Sequence, residues 1–360
     1  MNVTHRLHEL KQSLWLDHIT RGILDDGTLR RYIDELAVTG LTSNPTIFDE
    51  AIGNSSDYDA TIRSKAGAGM NGEELFVELA LEDLRRAAQL FTPVFTATQQ
   101  RDGWVSMEVS PLLADDTAST LAAALAIHAQ ARVANLYVKI PGTPAGLAAI
   151  EEAIFAGVPV NVTLLFSREQ YLAAAEAYLR GIERRLAAGL DPRISSVASI
   201  FVSRWDRAVA GKVPQELADR LGIAIAQRTY RAYVDLLESP RFAALAARGA
   251  WPQRLLWAST GTKDPKLNPS LYVEALAAPD TINTMPEKTL LAFAKDGALH
   301  GTMARDGGDC ETVLGRFAAA GIDVAALANT LQIDGAKSFV KSWQELMERI
   351  ATKSAVLTDA

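Results

Sequence analysis

Short apolar runs alternate along the chain with longer segments whose apolar positions return every three or four residues. The runs occupy residues 15–19 (WLDHI), 38–45 (VTGLTSNP), 103–111 (GWVSMEVSP), 135–142 (NLYVKIPG), 158–166 (VPVNVTLLF), 195–206 (SSVASIFVSRWD), 255–263 (LLWASTGTK) and 280–286 (DTINTMP). β-Branched and aromatic residues fill them and Gly or Pro closes several, a composition that predicts strands. The intervening segments, among them LRRYIDELAV, TASTLAAALAIHAQARV and SREQYLAAAEAYLRGIERRLAAG, carry the helical period. Strand followed by helix, eight times over, predicts an α/β fold with a parallel sheet closed as a (β/α)8 TIM barrel. An open doubly wound sheet is the alternative.

The polar residues decide between the two. In such barrels the chemistry collects at the C-terminal ends of the strands. Asp17, Asn44, Glu108, Lys139, Asn161 with Thr163, Ser199 with Arg204, Ser259 with Lys263, and Asn283 all fall there. Residues 1–360 are therefore expected to form a single barrel domain. Residues 1–13 read as a lead-in helix and 58–74 as an irregular insertion. Residues 325–355 read as one or two C-terminal helices packed on the barrel, with a lid or dimer contact as the other reading.

Composition narrows the function classes. The 360 residues are 48% hydrophobic and 22% charged, enough apolar material for a large core. A net charge of -7 argues against nonspecific nucleic-acid or anionic-membrane binding, while leaving room for a local basic pocket. The single cysteine, Cys310, rules out an intrachain disulfide and reads as a small core residue. The five histidines are scattered, so no metal site is expected. No signal-type or membrane-spanning apolar stretch stands out, which makes a cytoplasmic protein the expectation. GAGMNG, residues 67–72, has dinucleotide-fingerprint spacing but lacks a buried strand in front, and reads as a flexible loop capping the next helix. RDGGDC, residues 305–310, reads as a plain turn.

Lys139 sits inside an apolar strand, where an ammonium is costly to desolvate. Either that strand end meets solvent or the amine works uncharged. A desolvated amine can attack a carbonyl and form a Schiff base, whose iminium draws electrons from a nearby carbon–carbon bond. Such chemistry needs proton-handling partners, and the strand-end carboxyls Asp17 and Glu108 suit the work. The plainer readings are an ion-paired Lys139, a helix-capping Asp17 and a Glu108 that partners a buried cation. Arg204 and Lys263, with hydroxyls at Ser199 and Ser259, suit a phosphate monoester.

Taken in order, LWLDHI, GLTSNPTIF, VSMEVSP, LYVKIPGT, VNVTLLFS, ASIFVSRWD and LWASTGTKDP resemble the strand-end motifs of the transaldolase family, its longer bacterial branch in particular. The resemblance implies a cofactor-free transferase of the non-oxidative pentose phosphate pathway. Its donors would be fructose 6-phosphate or sedoheptulose 7-phosphate, and its acceptors erythrose 4-phosphate or glyceraldehyde 3-phosphate. It assigns the Schiff base to Lys139, the C4 hydroxyl proton to Asp17, and imine-stage proton transfer to Glu108 with a water held by Thr163. It further implies that Asn44, Asn161 and Ser199 hold the dihydroxyacetone hydroxyls, and Arg204 with Ser259 the phosphate. One departure is Gly261, where many members have arginine; Lys263 would then supply the missing charge. A Schiff-base fructose-6-phosphate aldolase and an inactive barrel that binds sugar phosphate or a partner are the rival functions. The expected partners are small sugar phosphates, without nucleic acid or membrane, in a monomer or homodimer.

Overall fold

The computed structural model describes residues 2–358. Helix α1 (Val3–Glu9), capped by Asn2, leads to β1 (Ser13–Asp17). Two short helices, α2 (Arg21–Asp25) and α3 (Thr28–Leu36), return the chain to β2 (Val38–Thr42). Three helices then intervene before β3 (Val105–Glu108): α4 (Pro45–Asn54), α5 (Asp59–Gly67) and α6 (Gly72–Ala97). Next come α7 (Thr117–Ala131), β4 (Leu136–Pro141), α8 (Pro144–Ala156), β5 (Val160–Leu165) and α9 (Arg168–Ala187). They are followed by β6 (Ser196–Phe201), α10 (Ser203–Val209), α11 (Leu221–Leu237) and α12 (Pro240–Ala246). The barrel ends with β7 (Gln253–Ala258), α13 (Leu271–Ala275), β8 (Ile282–Met285) and α14 (Glu287–Asp296), and α15 (Cys310–Ala319) and α16 (Val324–Thr358) follow.

Local signals explain many of these boundaries. Ser167 and Gln170 form a reciprocal capping box at α9. Thr143 caps α8, with Pro144 in its first turn and Gly157 left-handed after its last residue. The eight strands are parallel in the order β2-β1-β8-β7-β6-β5-β4-β3. A bridge between Gly40 and Trp104 joins the outer two and closes the (β/α)8 barrel. Gly40 is required there, because a Cβ would lie 2.5 Å from the Trp15 indole. Trp15, Trp104 and Tyr137 fill the barrel interior, with Trp104 and Tyr137 stacked at 4.2 Å between ring centroids.

Several expectations change. Residues 58–74 are not irregular: α5 occupies 59–67, and the chain turns through Gly69 into α6. Only Ile62 of α5 is buried, so the sequence carries almost no amphipathic signal, and the helix is held by docking against α16. Asn71 is the N-cap residue of α6, accepting the Leu75 N–H at its carbonyl, while its side chain bonds the Gly69 carbonyl and no helix N–H. The lead-in helix ends at Glu9, and Ser13 already belongs to β1. Residues 203–206 open α10 instead of extending β6. The 305–309 loop leads into α15, and Cys310 is buried there. The C-terminal segment is one helix, α16, lying against α4, α5, α6 and β5. Among the described residues, no helix is long and apolar enough to cross a membrane.

Candidate active site

Side chains on a strand alternate faces, so every second residue of a barrel strand points inward. On β1 the inward set ends at Asp17, on β3 at Glu108, on β4 at Lys139, and on β5 at Asn161 and Thr163. Parallel register brings them level, with Glu108 opposite Lys139, Lys139 opposite Asn161, and Asp17 opposite Thr42. All the expected rim residues except Glu108 and Asn283 line one cavity of about 350 Å³ at this end of the barrel. That is within the range of small-ligand sites, about 300–1,000 Å³.

Lys139 is 6% exposed. Its Nζ donates to the Ser43 backbone carbonyl at 3.0 Å and lies 3.3 Å from Glu108 Oε2. Burial pushes the Glu108 carboxyl above its usual range; Lys139 pulls it back, and Asp17 adds to the rise. Asp17 is raised by burial as well, against the Thr42 hydroxyl, which donates to its Oδ1 at 2.6 Å, and the Lys139 charge. Asp17 therefore caps no helix. Glu108 is a cation's partner, as the plainer reading had it.

The polar groups around this centre are selectively committed. Asn44 Oδ1 caps α4 through the Ile47 N–H at 3.1 Å, which leaves its amide nitrogen for the cavity. Asn161 accepts from Ser199 Oγ at 2.7 Å and donates to Ser106 Oγ at 3.2 Å. Thr163 Oγ1 is buried without a hydrogen-bond partner among the described residues. A bulge follows it: the pairing of β5 with β6 slips between Val162 and Leu165, and Leu164 takes a left-handed backbone with φ 59°.

Arg204, in the first turn of α10, lies over the Phe201 ring at 5.0 Å and near the Phe339 ring at 5.9 Å. Among the described residues it makes no ion pair. Ser259, also left-handed at φ 56°, shares a 2.9 Å hydroxyl contact with Ser203. Lys263 reaches the cavity wall but is exposed. Gly261 lines the cavity too, and a Cβ there would lie 3.2 Å from Thr289 Oγ1 and 3.3 Å from Pro286 Cγ.

Asn283, placed at the rim by its position in the sequence, does not reach the cavity. It accepts from Thr260 Oγ1 at 2.9 Å, while Thr284, one residue on, points in. The alternation of faces within β8 was a signal that could have found it. Ser338 and Phe339 of α16 lie more than seventy residues after Ser259 yet line the cavity. Only the apolar helical spacing of that segment hinted at them. The Ser43 carbonyl has no sequence signature at all.

Known proteins carry the same pattern along the chain. The family model described as Transaldolase/Fructose-6-phosphate aldolase matches residues 14–350. A protein of Saccharopolyspora erythraea named Transaldolase is 43% identical over 345 residues, 94% of each chain. One of Arthrobacter sp. (strain FB24), of the same name, is 43% identical over 96% of this chain and 95% of its own. Another, from Thiobacillus denitrificans, is 42% identical over 97% of this chain and 100% of its own. On a family match and relatives that both run nearly end to end, the chain belongs to the transaldolase/fructose-6-phosphate aldolase family.

Proposed function

We propose that the chain transfers a dihydroxyacetone unit from a ketose phosphate to an aldose phosphate through a Schiff base on Lys139. The observation that carries this reading is the buried Lys139 amine, 3.3 Å from Glu108 in the wall of a cavity it shares with Asp17. An amine must be neutral to attack a ketone, and Glu108 is placed to take the proton. The carbinolamine then loses its hydroxyl as water, with Glu108 as the acid and Thr163 Oγ1, which has no hydrogen-bond partner among the described residues, holding that water. Asp17 removes the C4 hydroxyl proton, the C3–C4 bond breaks into the iminium, and the aldose leaves. Addition to a second aldose phosphate and hydrolysis reverse these steps.

Asn44, Asn161 and Ser199 would hold the retained three-carbon unit, so that it waits for an acceptor. Arg204, Ser259 and Lys263 would hold the phosphate. Arg204 is the core of that site, oriented by two aromatic rings, whereas Lys263 contributes an exposed point charge in place of a fork. Donors would be sedoheptulose 7-phosphate and fructose 6-phosphate, and acceptors glyceraldehyde 3-phosphate and erythrose 4-phosphate. The names of the relatives favour transfer over plain aldol cleavage or an inactive barrel. The same proposal has residues 1–360 act as one domain in the cytoplasm, as a monomer or homodimer, a point light scattering reads directly.

The test is borohydride reduction in the presence of fructose 6-phosphate, followed by peptide mass mapping. A reduced three-carbon or six-carbon adduct on Lys139 is expected. An adduct on another lysine, or none, refutes the mechanism. Donor cleavage that runs equally fast without an acceptor would make the enzyme an aldolase.

A further inference from the structure

A second cavity lies behind the first. Its volume is about 470 Å³, and it runs between α6, α7 and α16. Glu74, Ala126 and Gln130 stand at its exposed end, and Glu108, Ser110 and Trp343 are buried at its inner end. Glu108 does not line the cavity at the barrel mouth, and Lys139 does not line this one. The two spaces meet across the 3.3 Å contact between those side chains. The Glu108 carboxylate is thus a partition with a different space on each side.

The inner end is polar enough to be wet. Glu108 Oε1 and Ser110 Oγ lack hydrogen-bond partners among the described residues, and Glu108 Oε2 has only the Lys139 ammonium at 3.3 Å, although Glu108 is 5% and Ser110 4% exposed. Buried polar atoms of this kind are normally satisfied by protein or by ordered water. A water molecule needs only about 30 Å³ and two or more polar partners.

The proposed chemistry creates a traffic problem. Imine formation releases one water at Glu108, and hydrolysis consumes one there, while sugar phosphate fills the mouth under Ser338 and Phe339. We infer that the cavity between α6, α7 and α16 is the passage by which water reaches and leaves Glu108 while substrate occupies the barrel mouth. In dehydration the carbinolamine C–O bond breaks, Glu108 gives its proton to the departing hydroxyl, and the nitrogen lone pair forms the C=N bond. In hydrolysis the water oxygen bonds to that carbon, its proton returns to Glu108, and the C=N pair returns to nitrogen. The inference rests on the proposed role of Glu108; Thr163 holds the reacting water on the sugar side, and Ser110 holds the next water behind Glu108.

Ala126→Phe on α7 and Val77→Phe on α6 narrow the passage from opposite walls without touching the sugar cavity. Two rates are measured for each: borohydride-trapped Schiff-base formation in a single turnover, and incorporation of oxygen-18 from labelled water into the C2 carbonyl of fructose 6-phosphate. Both should fall by about tenfold or more with KM within about twofold of the parent. Slowing of this kind in either folded variant supports the passage. Parental rates in the folded variants, or a rate loss matched by a change in KM, would overturn it. Absence of a Lys139 adduct in the parent chain is a separate outcome, and sinks the Schiff-base reading itself.

Discussion

Lys139→Ala removes the nitrogen that would bond to the ketone, and we expect donor turnover to drop by roughly 10³-fold or more. Glu108 then loses the only cation within 4 Å among the described residues, and a buried carboxyl in that position takes up a proton at less cost than unfolding the barrel. Circular dichroism should therefore still show one cooperative melt; turnover within tenfold of the parent would remove Lys139 from its role. Asp17 offers a pH test. As a base it must be ionised, and burial raises its pKa, so the acid limb of kcat/KM should lie above the ordinary aspartate value of 3.8. Thr42→Val deletes a hydrogen bond that favours the ionised form, and should move that limb upward by up to about one pH unit. A limb that stays put or moves down in a pH–rate profile contradicts the assignment. These residues were legible in the sequence because each is a polar side chain interrupting an apolar strand. Thr284 and the Ser43 carbonyl were not, since the first needs the exact phase of β8 and the second is backbone.

At the scale of elements, α16 is the one that most changes the site. Its Phe339 shares Arg204 with Phe201, and its Gln332 side chain donates to the carbonyls of Gly142 and Leu164 at 3.1 and 3.0 Å. The helix thereby ties the β4 and β5 strand ends to Arg204. Phe339→Ala should raise KM for phosphorylated donors by about threefold to tenfold with kcat little changed, as expected for a lost cation–π contact that holds ground and transition states alike. Steady-state kinetics checks this, and a fall in kcat at constant KM would point to chemistry instead. All eight strands could be read from composition and turn residues. Helix α5 could not, because it buries one apolar side chain, and tertiary docking supplies what its sequence lacks. Helix α15 carries the signal in Cys310, Val313, Leu314 and Phe317, spaced i, i+3, i+4 and i+7, but the glycine loop before it reads as a plain turn.

For the molecule as a whole, Asp206 sets a pH dependence. It is buried beside α11 and α13, accepting from the Leu221 N–H at 2.8 Å and the Tyr272 hydroxyl at 2.8 Å, yet burial raises its pKa from 3.8 to about 6. A raised carboxyl holds its proton more tightly folded than unfolded, so its contribution to stability declines as pH climbs from about 4 to about 6. Asp206→Asn should cancel that decline, changing the stability difference between parent and variant by about 1–3 kcal/mol between pH 4 and pH 7. Urea unfolding at the two pH values measures it, and a difference independent of pH would show that Asp206 titrates normally.

The closure of the barrel is its thinnest point. Between β2 and β3 the ladder shrinks to one bridge at Gly40 and Trp104, with flanking bonds from Leu41 to Trp104 and from Gly103 to Thr39. Just above it, Ser43 Oγ bonds the Ser106 carbonyl at 2.8 Å, and Lys139 Nζ reaches the Ser43 carbonyl from β4. The Lys139 amine is therefore also a hasp across the seam. If it leaves Ser43 to bond a sugar, as proposed, the stave joint beside it loses one of its few fastenings, and the breathing of the barrel wall is then tied to the proposed cycle.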